Sequence, residues 1–185
     1  MKVKVTVGFF SPPADDTSIF NKIASCWSTP TSNNRMYSHV ELRFSDGAVT
    51  SITQSPGIVH YDTSRMLSNS GYQCFYEIEI DLEIEKAMQA YAKMCAEKKI
   101  PFNRIAVYWN FVPILSCMPI KANGDAYFCS EYITTLLQKA GFCADLDPAT
   151  TSPNDVYMSL RNDPYADATF NKTLYKARGN KLLID

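Results

Sequence analysis

Tyr37-Ser38-His39-Val40-Glu41-Leu42 and Tyr127-Phe128-Cys129-Ser130-Glu131-Tyr132 lie ninety residues apart, counted from histidine to cysteine, and decide how the chain folds. In the first segment Val40, Leu42 and Phe44 alternate with His39, Glu41 and Arg43, the period of a strand. In the second, Ile133, Leu136, Leu137 and Ala140 follow Cys129 at helical spacing and stop at Gly141, so the cysteine stands where a helix begins. Backbone N–H groups and the macrodipole favour a thiolate at such a position, and imidazole is the side chain best suited to exchange its proton near neutral pH. Together the segments point to a cysteine nucleophile with a histidine base.

The surrounding pattern alternates strands and helices. Residues 2 to 10 read as a strand, broken by Ser11-Pro12-Pro13. Ile19, Phe20, Ile23, Ala24 and Trp27 then recur at helical spacing, and a loop over 28 to 35 leads to the histidine strand. Ser45-Asp46-Gly47 signals a hairpin, with Ala48 to Thr53 returning. Ile58 to Tyr61 predicts a short strand, Phe75 to Leu82 a longer one, and Glu83 to Lys98 a helix with Ile84, Ala87, Met88, Tyr91, Met94 and Cys95 as its stripe. Residues 103 to 120, broken by Pro113 and Pro119, read as a loop with short helical or extended pieces. Ser152-Pro153 reads as a cap followed by proline at the first helical position. The last twenty or so residues read as a peripheral strand or a tail.

Composition narrows the functional class. The chain has 185 residues, 46% of them hydrophobic, which suits one domain over residues 1–185. A balance of 18 basic against 19 acidic residues gives no concentrated basic surface for nucleic acid. The alternating N-terminus lacks the unbroken apolar core of a signal peptide, and no run is long enough to cross a bilayer, so a cytoplasmic location is expected. Cysteines 26, 74, 95, 117, 129 and 143 are scattered, which favours free thiols in a reducing compartment, although their even number leaves disulfides open. Two histidines without a nearby cysteine cluster argue against a structural metal site.

Within the site, Glu41 shares a strand face with His39 and could orient the imidazole through its second nitrogen. It could equally be a solvated strand residue. Ser51, Thr53 and Gln54 on the returning strand are the other candidates for that role. His60 has no adjacent carboxylate in sequence and reads as a surface or packing histidine. Glu131 reads as a first-turn residue serving the helix dipole and facing solvent.

The order of the two segments, histidine before cysteine, resembles the circularly permuted papain-like hydrolases. These are permuted relatives of the NlpC-type cell-wall amidases, and they include YiiX-like bacterial proteins, lecithin retinol acyltransferase relatives and proteins of phages and large DNA viruses. The likeness spans residues 1 to 160: the turn at 45 to 47, the strand and helix from 75 to 98, Pro101-Phe102-Asn103 and Ser152-Pro153-Asn154-Asp155 fall in the family's order. Many relatives carry Tyr where this chain has Phe102. The resemblance implies an α+β permuted papain-like fold, with a small, mostly antiparallel sheet against helices. It implies a cysteine hydrolase acting on an amide, of peptide or cell-wall type, or on an acyl ester, through a Cys129 acyl-enzyme. His39 would be the base and Glu41, or Ser51, the third member, with no metal or organic cofactor. A catalytically silent binding or virion-associated module is the alternative. Trp109, Phe111 and Ile114 would suit a lipid-facing patch or core packing.

Overall fold

The structure, a computed structural model, describes residues 1–11, 37–62, 72–111 and 125–169. The helix expected near Ile19 to Trp27, the loop at 28–35, Cys26, Cys117 and Ile114 lie outside the described residues, as do 170–185. Alternation along β1 (Lys2–Phe10) buries Val5, Val7 and Phe9 on one face, while Lys2 and Lys4 form exposed ion pairs with Asp81 and Glu77. On one side β1 pairs with β2 (His39–Arg43), followed by β3 (Val49–Ile52) and β4 (Val59–Asp62). On its other side run β5 (Tyr72–Asp81) and β6 (Ala166–Thr169), which makes part of the C-terminal stretch a strand. The sheet order is β4-β3-β2-β1-β5-β6, and every neighbouring pair is antiparallel.

Four α-helices complete the α+β architecture among the described residues: α1 (Leu82–Glu97), α2 (Arg104–Phe111), α3 (Cys129–Lys139) and α4 (Pro153–Asn162). One cluster of buried side chains joins Val5, Val7, Val40, Leu42 and Ile78 of the sheet to Met88 of α1, Leu136 of α3 and Leu160 of α4. Each such fully buried aliphatic side chain contributes about 1.5–3 kcal/mol relative to exposure. None of these helices is long and apolar enough to cross a membrane.

The stripe of α1 departs from its expected membership. Met94 and Ala87 are exposed, whereas Ala92 and Glu85 are buried. The Glu85 carboxylate accepts hydrogen bonds from the Ser45 backbone N–H (2.6 Å) and hydroxyl (2.8 Å), so it pins the β2–β3 turn to α1. That turn closes with Gly47 at φ 89°, where a side chain would be strained. Helix α1 ends because Lys99 adopts φ 51° and Lys99 N–H and Ile100 N–H bond back to Ala96 O and Cys95 O, a Schellman closure made without glycine. Gly141 closes α3 in the same manner. Residues 104–111 form a helix of eight residues, within the stretch expected to hold short helical or extended pieces. Asn103 Oδ1 starts it by accepting the Ala106 N–H.

Candidate active site

Helix α3 starts at Cys129 because Phe128 is extended (φ −107°, ψ 169°) and the Glu131 carboxylate reaches back to accept the Phe128 N–H at 3.2 Å. Phenylalanine offers no side-chain acceptor, so the N–H groups of the first turn receive no cap from it. The chain entering the helix is held on both sides. Tyr127 N–H donates to Pro101 O and Tyr127 O accepts from Asn103 N–H. The Ser130 hydroxyl donates to Thr151 O at 2.6 Å. Phe102, half-buried, packs against Ala106, Val107 and Phe128. Cys129 is 8% exposed, the most accessible of the four described cysteines, all of which are free.

His39 opens β2. Its strand is anchored by Ser38 N–H donating to Phe10 O and by Tyr37 N–H donating to Asn154 Oδ1 at 3.1 Å, which ties the entry of β2 to the start of α4. His39 Nε2 lies 3.1 Å from Glu41 Oε1 and 3.4 Å from Ser51 Oγ. The Ser51 hydroxyl gives its proton to Val40 O at 2.8 Å, so toward the ring it offers a lone pair. A carboxylate and an accepting hydroxyl on the same nitrogen assign the proton to Nε2. Cys129 also acts on the ring, through both its charge and a side-chain hydrogen bond.

The electrostatics follow from these neighbours. Burial alone favours the neutral ring, but Cys129 and then Glu41 stabilise the imidazolium, and His39 is raised from the usual histidine value to about 10. Glu41 is 1% exposed, which makes it a buried carboxylate rather than a solvated strand residue.

Two readings from sequence are corrected. Glu131 does not face solvent: it is buried, and that burial, opposed by its bond to Phe128 N–H and reinforced by Asp147, raises its carboxyl to about 7. His60 is not isolated from carboxylates, since the sheet brings its Nε2 to 3.9 Å from Glu41 Oε1. Sequence spacing cannot see a neighbour supplied by a strand two places away. Asn154 was also without a role in sequence; Ser152 is the cap of α4, accepting from Asp155 N–H, and Asn154 is instead a fully buried strand anchor.

The structure thus brings Cys129, His39, Glu41 and Ser51 together. Among the described residues, no group of three or more histidine, cysteine, aspartate or glutamate side chains is arranged to hold a metal ion. No known family profile matches the chain, and no curated protein matches it in sequence.

Proposed function

We propose that the protein is a cysteine hydrolase with the permuted papain-like arrangement, cleaving an amide or acyl ester bond through Cys129. The observation that carries this reading is the thiol at the first position of α3 set against a partly buried imidazole whose Nε2 is held by Glu41. The order of histidine strand and cysteine helix, with Pro101-Phe102-Asn103 bonded alongside the entry to that helix, also supports it.

In the first half-reaction the Cys129 proton already rests on His39, as its raised value requires, and the thiolate sulfur attacks the carbonyl carbon. The carbonyl π electrons move onto oxygen, where the Cys129 N–H at the helix start is placed to donate. Collapse of that intermediate breaks the bond to the leaving nitrogen or oxygen, which takes the proton from His39. A thioester remains on Cys129. Water then attacks it, giving a proton to His39, and the thiolate leaves with the free acid formed. Glu41 keeps the ring oriented and stabilises its charged form throughout. Amides and esters both pass through this acyl-enzyme, so the reading covers both bond types.

A thiol-reactive acyl probe tests it. Labelling of the wild type that is lost in Cys129→Ala and slowed strongly in His39→Ala is expected. Labelling retained by both variants would sink the enzyme reading and favour a silent binding module, toward which the missing hydroxyl at Phe102 also points.

A further inference from the structure

His60 lies directly opposite Ser51 in the β3–β4 ladder, and the Ser51 hydroxyl is one of the groups that meets His39. Directly opposed residues of an antiparallel pair project to the same face. His60 Nε2 lies 3.9 Å from Glu41 Oε1, the same oxygen that lies 3.1 Å from His39 Nε2. Two imidazoles on two strands therefore converge on one carboxylate oxygen. The His60 side chain is 12% exposed and that of Glu41 2%, so water screens the arrangement little.

Resting on the nucleophile and base reading above, we infer that Glu41 is shared between two imidazoles and that His60 is a positioning residue, holding the carboxylate oxygen for His39 without touching substrate. At 3.9 Å the contact is longer than a hydrogen bond, so His60 steadies the carboxylate through the dipole of its ring N–H, and by charge when protonated, and leaves the closer contact to His39. The groups around His60 fit this division. From β2 it faces Glu41 and His39, and from β3 the non-titrating Ser51. Asp62 lies two residues along its own strand. Helix α1 packs against β4 and sets Lys93 over the ring of Tyr61, the adjacent residue, which points to the opposite face. Helix α3 contributes Cys129 through His39.

Sharing has a signature that packing lacks. A carboxylate favours the charged imidazole and a second imidazolium opposes it, so the two rings titrate as a coupled pair. The chain contains two histidines, so both ring signals are assignable by NMR from His39→Gln and His60→Gln proteins. Glu41→Gln is expected to lower the His60 titration midpoint by at least about half a pH unit, and His39→Gln to raise it by a similar amount. Labelling of Cys129 by the acyl probe adds the functional readout. His60→Gln places an amide N–H where Nε2 stands and is expected to label within about threefold of wild type, whereas His60→Phe slows labelling about tenfold or more. His60→Asn, whose amide falls short of that position, is expected to match His60→Phe and serves if the phenylalanine variant does not fold. His60 midpoints that stay fixed in both variants, or wild-type labelling in His60→Phe and His60→Asn, would overturn the inference. Opposite midpoint shifts in a protein whose Cys129 never labels would instead overturn the nucleophile reading and leave the shared carboxylate standing.

Discussion

Replacing Glu41 by glutamine separates the charge of the orienting group from its shape. At the 3.1 Å between Oε1 and His39 Nε2, a unit charge pair at an effective dielectric of about 20 interacts by about 5 kcal/mol. The amide oxygen of Gln still accepts from Nε2–H, so the net loss is the difference between a charge-assisted and a neutral bond, about 1–1.5 kcal/mol. That equals about one pH unit. The His39 midpoint, raised to about 10, should therefore fall to about 9 in Glu41→Gln. In the proposed reaction the imidazolium donates the proton to the leaving group, so the alkaline limb of acyl-transfer activity should fall with it. Stability follows the same sign. A histidine raised above its unfolded value contributes fully below about pH 6.5, and the contribution is lost as pH rises through about 10. Removing the carboxylate lowers the upper edge of that window. Ser51→Ala removes only a 3.4 Å acceptor and should move the His39 midpoint by less than about half a unit. The assay is an NMR titration of the His39 ring in the three proteins, with the alkaline limb measured alongside. A midpoint unchanged in Glu41→Gln but lowered by a unit or more in Ser51→Ala would refute the assignment of the orienting role to the carboxylate.

Two further substitutions test the framework around the site. Glu131 is raised from about 4.5 to about 7 in the folded state, so its neutral form is preferred there and the chain loses stability as pH rises between those values, by up to about 3 kcal/mol. Glu131→Gln keeps an acceptor for Phe128 N–H and should raise urea stability at pH 8 while flattening that slope; a variant less stable than wild type at pH 8 would contradict it. Asn154→Ala leaves the buried Tyr37 N–H without its acceptor and should cost about 1–3 kcal/mol, with faster amide exchange at Tyr37. Unchanged exchange at that amide would show that β2 is anchored by other means.

Periodicity carried much of the architecture. Alternation located β1, β2 and β5, the Ser45-Asp46-Gly47 hairpin signal located β3, and the Ser152-Pro153 and Gly141 signals located a helix start and a helix end, because those features act within a few residues. The end of α1 was less legible: Ile100-Pro101 was the visible stop, yet the turn is made by Lys99 in a conformation its sequence does not advertise. The burial of Glu85 and Glu131 was hidden because each carboxylate is satisfied by backbone donors, at Ser45 and Phe128, that local polarity does not reveal. Within the site, His39 and Glu41 share one strand and could be paired on paper. Cys129, Ser51 and His60 reach them only through the helix packing and the β4-β3-β2 order, which spacing along the chain does not encode.

The most direct test of the account is the single-turnover rate of acyl transfer to Cys129 from an activated ester, with the acyl group mapped by mass spectrometry. In the wild type the acyl group is expected on Cys129, and in His39→Ala the same adduct should form about a hundredfold or more slowly. Acyl transfer to another residue, or transfer to Cys129 at the same rate without His39, would contradict it.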